Sequence, residues 1–390
     1  MIKKVKPIIH IATDEKFIDA AHDIYEKAFP RLNEFLILLK KYEKEIKYLS
    51  KDNEYKFIPA GQDYLSEVIK AVRGAKIVVF HGMDARHAKV AVELNKLNVK
   101  LIWNVFGIEI YNNYKIVGNS SYGKLTYKEF VFSIKAWIKN KLRPLYYEYI
   151  IKDKRSNQLI IDAFKLMDYV SILYEEEIEK YIELEIVEPD IKFLKFTYYP
   201  LNIIINQNTD YTVGKNILIG NSATFTNNHI EVFEILSKFS LEERKAIVPL
   251  SYGNEDYANA IIERGASYLG ENFNPLIDFL PLQEYQKILE SCGIVIMNHY
   301  RQQAVGNVLN TLYMGSKVFL SEKNTLFHYL KRIGCTIYSI EKDLVLENKS
   351  VFELLSNKQQ EENRIVLNNE LRPEIIISEL RNKLSEFLIS

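Results

Sequence analysis

The chain of 390 residues has only two cysteines, Cys292 and Cys335, and neither has the spacing of a metal ligand. That usage excludes a disulfide framework and fits a reducing cytosol. No apolar run approaches the roughly 20 residues of a membrane span. The start, "MIKKVKPIIHIATDEKF", turns polar after Ala12, too soon for a signal peptide, and reads as a first strand. Asp-x-Asp does not occur, which removes the usual carboxylate clamp for a metal-bound diphosphate; no metal and no cofactor are expected. There is no excess of either charge: 51 basic and 51 acidic residues give a formal net charge of zero, which argues against a general nucleic-acid binder.

What is present is alternation. In the first half "KPIIHIA", "EFLILL", "YKFIPA", "KIVVFHG" and "VKLIWNVFG" read as strands. The segments "EKFIDAAHDIYEKA", "LSEVIKAVRGA" and "HAKVAVELNKLN" carry apolar residues at helical spacing. The second half repeats the pattern from "KNILIGNS" through "KAIVPLSYG", "GIVIMNH", "SKVFLSE" and "CTIYSI". Continuous apolar strands separated by helices imply parallel sheets covered on both faces. The expected fold is α/β, two Rossmann-like doubly wound domains facing a cleft. The expected bounds are 1–200 and 201–372, with a last helix over 373–390 that packs back on the first domain; the turn-rich strip "YYPLNIIINQNTDYTVGK" is the linker.

Ligands of parallel sheets bind beyond the carboxyl ends of the strands. In the second half those ends carry Gly220-Asn221-Ser222, Ser251-Tyr252-Gly253, "NHYRQQAVGN" (298–307) and Ser321-Glu322-Lys323-Asn324. Arg301 is a permanent cation able to grip a phosphate bidentately. Gln302 and Gln303 are neutral donors, and Gly306 leaves the amides at a helix start open to an anion. Glu322 can accept from a sugar hydroxyl. Each has a plainer reading, as a helix cap or a solvated turn; the clustering favours a site. In the first half His81, Asp84, Asn104 and Glu109 follow buried strands, and His81, Asp84 or Glu109 can serve as the base for an attacking hydroxyl, or merely as a structural hydrogen-bonding group.

"ILIGNSATFTNNHIE", "VPLSYG", "LPLQEYQKILESC" and "RQQAVGN" resemble, in this order, the bacterial TDP-N-acetylfucosamine:lipid II N-acetylfucosaminyltransferases, glycosyltransferase family 56. The likeness is close from Lys215 to about Tyr338 and patchy before, where "FHG" and "FGIEIYN" look like that family's His-Gly and Trp-Gly-Ala-Asp-Leu-Tyr segments. Phe106 stands for the family's tryptophan, Glu109 for its aspartate, and Ala304-Val305-Gly306 for its Gly-Ile-Gly. The resemblance implies a metal-independent transferase of the GT-B architecture. It moves a deoxyamino sugar resembling 4-acetamido-4,6-dideoxygalactose from a TDP-sugar, or alternatively a UDP-sugar, to a polyprenyl-diphosphate-linked saccharide. The implied donor residues are Gly220, Asn221, Ser222, Tyr252, Gly253, Leu280, His299, Arg301, Gln302, Gln303, Gly306, Asn307, Glu322 and Asn324. Tyr252 and Leu280 lie near the base, Glu322 and Asn324 near the deoxyribose. Gly82, Asn104 and Phe106 face the acceptor.

The stretch 128–155 mixes Lys128, Lys135, Lys139, Lys141, Arg143, Lys152 and Arg155 with Phe130, Phe132, Trp137, Tyr146 and Tyr147. Basic and aromatic residues together suit an anionic bilayer surface, and equally an interdomain helix. With a lipid-linked acceptor, the first reading gives a peripheral protein on the cytoplasmic face of the inner membrane. Two other functions fit the two-domain pattern: a nucleotide-sugar 2-epimerase-like enzyme, and a non-catalytic sugar-binding subunit of an envelope polysaccharide complex.

Overall fold

The computed structural model describes residues 6–39, 45–59, 61, 63–132, 156–205 and 211–389. The chain divides into two units, Met1–Val117 with Pro144–Pro200 and Leu371–Ser390, and Gly118–Arg143 with Leu201–Glu370.

In the first unit the described strands are β1 (Ile8–Ala12), β2 (Asn33–Leu38), β3 (Tyr55–Ile58), β4 (Ile77–His81), β5 (Lys100–Asn104), β6 (Tyr169–Ile172) and β7 (Lys192–Lys195). They form one parallel sheet in the order β3-β2-β1-β4-β5-β6-β7. Every residue of β1 and β4 is buried, His10 and His81 included, which is why both read as mainly apolar runs and not as an alternation. The direction of winding reverses between β1 and β4, so their carboxyl ends flank the switch point. The last helix, Pro373–Ile389, belongs to this unit. Its Ile376, Leu380 and Leu384 recur every fourth residue and pack with Ile24, Tyr25 and Ala28 of the helix Ile18–Ala28. Each such leucine contributes about 1.5–3 kcal/mol through burial.

The second unit repeats the design with β8 (Asn216–Ile219), β9 (Ala246–Pro249), β10 (Phe273–Leu276), β11 (Cys292–Met297), β12 (Lys317–Leu320) and β13 (Tyr338–Ser339). The order is β10-β9-β8-β11-β12-β13, again parallel, with the switch point between β8 and β11. Strands β6, β7 and β10 are additions to the sequence reading. β10 contains Pro275, which an edge position tolerates. The two sheets and their covering helices make this a two-domain α/β protein of Rossmann-like units. Of the basic and aromatic stretch 128–155, residues 133–155, with Lys135, Trp137, Lys139, Lys141, Arg143, Tyr146, Tyr147, Lys152 and Arg155, lie outside the described residues. Among the described residues no helix is long and apolar enough to cross a membrane.

Candidate functional site

The carboxyl ends of β8, β9 and β11 are tied by one chain of side-chain hydrogen bonds. Thr226 donates its hydroxyl to Gln303 Oε1 (2.6 Å), Gln303 donates its amide to Asn221 Oδ1 (3.1 Å), and Asn221 donates its amide to the Tyr252 hydroxyl (2.8 Å). Gly220 permits the turn beneath them. Its φ is +66°, and a Cβ there would lie 2.6 Å from Asn227 Oδ1 and 2.7 Å from His229 Nε2. Asn227 Oδ1 also accepts the Asn221 backbone amide (2.8 Å) and pairs with His299 Nε2 (2.9 Å), while its own amide donates to Ser222 Oγ (3.2 Å). Gly253 bridges to Ala223, closing the β9 end onto the β8 turn.

His299 is fully buried, and burial, then the charge of Arg301, hold its pKa well below the ordinary value. It is therefore a neutral ring. Nε2 donates to Asn227, and Nδ1 is buried with no partner. Arg301, two residues on, is half-buried, and its Nη1 donates to the Gln302 carbonyl (2.9 Å). Ala304 adopts φ +54° and turns the chain into the helix Val305–Met314. Gly306 sits in that helix's first turn, and a Cβ on it would meet nothing within 4 Å. No protein neighbour demands glycine there. The open space beside helix amides is what an approaching anion needs.

Between the ends of β9 and β10 and the helices Leu282–Glu290 and Val305–Met314 lies a cavity of about 230 Å³. Asn221, Tyr252, Leu280 and Asn307, all expected from the sequence, line it together with Phe279 and Tyr285. Phe279 is 83% exposed and forms an aromatic wall at its mouth. At the β12 end Glu322 pairs with Lys342 (2.9 Å). Asn324 is fully buried and caps the helix Thr325–Arg332 by accepting from Leu326 N (3.1 Å); its amide nitrogen has no partner. Lys323 lies over the Tyr300 ring, 3.9 Å from its centre.

In the first unit the expected residues separate by environment. His81 is fully buried, and both ring nitrogens are engaged, by His10 Nδ1 (3.0 Å) and the Tyr198 hydroxyl (3.0 Å). That is the bonding of a structural histidine. Asp84 caps the helix Ala85–Leu94 and also pairs with Arg86 (2.6 Å) and His87 Nδ1 (2.8 Å). Burial pushes its carboxyl up, but these partners outweigh it and hold the group far below the usual carboxylate range. Glu109 differs: Oε1 accepts from Trp103 Nε1 and Phe106 N, each at 3.0 Å, while Oε2 is buried without a partner. Burial raises its pKa, against the pull of those hydrogen bonds. Gly82 and Asn104 meet through a backbone hydrogen bond (2.9 Å), and the Phe106 ring lies against the Gly82 Cα.

The family model described as 4-alpha-L-fucosyltransferase, glycosyl transferase group 56, matches residues 191–360. That match spans less than half of the chain, from the last strand of the first unit through most of the second. Among solved structures, the Anabaena protein HepE in complex with UDP and glucose is similar over 97% of this chain and 99% of its own, at 11% identity and a TM-score of 0.63. Sucrose-phosphate synthase from Thermosynechococcus elongatus is similar over 98% and 99%, at 9% identity and a TM-score of 0.61. A glycosyltransferase from Rickettsia africae ESF-5 is similar over 98% of both chains, at 12% identity and a TM-score of 0.63. At these identities the likeness is one of fold, and the fold is the GT-B architecture.

Within the matched residues several were not singled out by the sequence. Phe279 and Tyr285 line the cavity, but an exposed Phe after an edge strand has no local signature. Glu341 accepts hydrogen bonds from the Ser321 hydroxyl and from Glu322 N (3.0 Å), so it organises the β12 end from the next strand's turn. Among the described residues no group of three or more His, Cys, Asp or Glu is placed to hold a metal.

Proposed function

We propose that the second unit binds a nucleoside-diphosphate sugar at the strand ends described above and that the chain transfers the sugar to a lipid-linked saccharide. What carries this reading is the adjacency of three features on one sheet edge: the 230 Å³ cavity with aromatic walls, the Asn221–Gln303 bridge, and the Arg301 loop leading to the open Gly306 turn. An aromatic cavity of that size suits a pyrimidine base, with Tyr252, Leu280 and Phe279 against it. A guanidinium and helix amides suit the diphosphate that departs when the glycosidic bond breaks. Ser222, Gln302, Gln303, His299 and Asn307 complete the donor site, with Glu322 and Asn324 toward the sugar ring of the nucleoside.

The donor in this account is a TDP-linked 4-acetamido-4,6-dideoxygalactose-like sugar. A UDP-sugar is the competing donor, and HepE, similar in fold, is a UDP complex. The first unit takes the acceptor near Gly82, Asn104 and Phe106. Of its three candidate bases Glu109 fits best, because Oε2 is uncommitted and burial raises its pKa, which makes the carboxylate a stronger base. The acceptor is a polyprenyl-diphosphate-linked saccharide reached at the cytoplasmic face of the inner membrane, through the basic and aromatic stretch 128–155. Co-sedimentation with anionic vesicles at low salt tests that attachment, and its absence would remove it.

The experiment for the reaction is a transfer assay with TDP- and UDP-sugars and a polyprenyl-diphosphate-linked saccharide. Release of the nucleoside diphosphate only when acceptor is present supports transfer. Conversion of the nucleotide sugar without acceptor would instead mean an epimerase-like enzyme, and no turnover with any pair would mean a binding subunit.

A further inference from the structure

The wall of the 230 Å³ cavity is mostly apolar, and its polar side chains are few enough to account for one by one. Asn221 is committed to the strand-end bridge, its amide to the Tyr252 hydroxyl (2.8 Å) and its Oδ1 to Gln303 (3.1 Å). Asn307 is a hydrogen-bonding partner of Tyr285, another wall residue. That leaves Ser251 and Asp278. Among the described residues neither side chain has a hydrogen-bonding or ionic partner, and Asp278 is the one carboxylic acid in the wall.

The sheet sets these two side by side. Strands β9 and β10 run parallel with Pro249 beside Leu276, and Leu250 N donates to the Leu276 carbonyl (2.8 Å), which carries the pairing past the end of β9. Ser251 and Asp278 each stand two residues beyond that last pair, at neighbouring strand ends. Phe279, the aromatic wall at the mouth, follows Asp278 directly. Asp278 is exposed, so water satisfies its carboxylate until a ligand covers it. A base that displaced that water without offering an N–H would leave a charged acceptor unpaired against an apolar wall, which is costly.

The pyrimidines differ at this point. Uracil and thymine carry an N–H at ring position N3, flanked by two carbonyls. Cytosine has a bare acceptor nitrogen there. We infer that Asp278 is a specificity-determining residue of the donor cavity: its carboxylate accepts the N3–H of a uracil or thymine base, and the Ser251 hydroxyl donates to an adjoining base carbonyl. The inference rests on the proposed reading of this cavity as the base site of a nucleoside-diphosphate sugar, and narrows that base to a pyrimidine imide. A site built to accept a ligand N–H rejects the analogue that lacks it, because its own polar group is then left unpaired.

The test is calorimetric titration of UDP, TDP, CDP, GDP and N3-methylated UDP into the full-length parent protein, Asp278→Asn and Asp278→Ala. The parent is expected to bind UDP and TDP roughly tenfold or more tightly than CDP or the N3-methyl analogue, the effect of one hydrogen bond to a charged group. An asparagine amide both donates and accepts, so Asp278→Asn should bind UDP more weakly and bring CDP to within about threefold of it. Asp278→Ala should lose UDP affinity in the same way. Both variants should keep the parent's melting temperature, since this side chain has no partner in the fold to lose, and should bind the N3-methyl analogue as the parent does. A parent that binds CDP or N3-methylated UDP as tightly as UDP overturns the inference without any variant and leaves the donor site standing. So does an unchanged preference for UDP over CDP in Asp278→Asn. Tighter binding of GDP than of UDP and TDP would mean that the carboxylate reads a purine, and overturns the pyrimidine assignment. If the parent binds none of the diphosphates, the donor reading fails and this inference fails with it.

Discussion

Gln303 donates its side-chain amide to Asn221 Oδ1 at 3.1 Å, joining the β11 end to the β8 end across 82 residues of sequence. Each of the two has a second partner at the same edge, Thr226 and Tyr252. The pair should therefore act as one unit in ligand binding. Asn221→Ala and Gln303→Ala are each expected to weaken UDP or TDP binding by about 1 kcal/mol. The double variant should lose less than the sum, with a coupling of about 0.5–1 kcal/mol in a double-mutant cycle. Strict additivity would mean that the bridge does not shape the site.

Two glycines predict opposite outcomes. Gly306→Ala adds a methyl to open space and removes a glycine from a helix, so stability should hold or rise by about 0.5–1 kcal/mol. Diphosphate affinity should fall by about 1–3 kcal/mol, as for an overfilled site. Gly220→Ala puts a Cβ at φ +66° against Asn227 and His229, and should destabilise the fold by about 1–3 kcal/mol. Urea melts with calorimetry separate the two. A destabilised Gly306→Ala with normal affinity would return that glycine to a structural role.

Much of this was legible beforehand. Strands β1, β4, β8 and β11 are mainly apolar because both sheet faces are covered, and that burial pattern shows in the sequence. Strand β7, Lys192–Lys195, has only one of its four residues buried, so no such run marks it. The cluster of Asn221, Tyr252, Gln303 and Arg301 was visible as residue types following strands. Which of His81, Asp84 and Glu109 keeps a free atom was not, because that depends on His10, Tyr198, Arg86 and His87, none of which the strand-end pattern singles out.

His229 is fully buried, and burial lowers its pKa from 6.5 to about 3. The unfolded chain takes a proton at this residue below pH 6.5 that the folded chain refuses. Its contribution is fully present above that pH and is lost as pH falls toward 3, at about 1.4 kcal/mol per pH unit. Urea denaturation between pH 7.5 and 5 should show the decline, and His229→Asn should reduce its slope by one histidine's share. An unchanged slope in the variant would mean that this ring does not stay neutral.

Glu109 must be ionised to accept a proton, and burial raises its pKa. The acid limb of a kcat–pH profile should therefore lie above the ordinary carboxylate range. Glu109→Gln should lower kcat by roughly 10²–10⁴-fold and leave nucleotide affinity intact. A Glu109→Gln enzyme with near-normal kcat would transfer the base role elsewhere.

Arg301 carries the central claim, that the second unit neutralises a nucleoside diphosphate with its own cation and helix amides. Calorimetric titration of UDP and TDP into the parent protein and into Arg301→Ala, with and without EDTA, tests it most directly. The account predicts binding by the parent that survives EDTA, and a loss of about 1.5–3 kcal/mol in the variant. Equal affinity in the two proteins, or parent binding that vanishes with EDTA and returns with Mg²⁺, would contradict it.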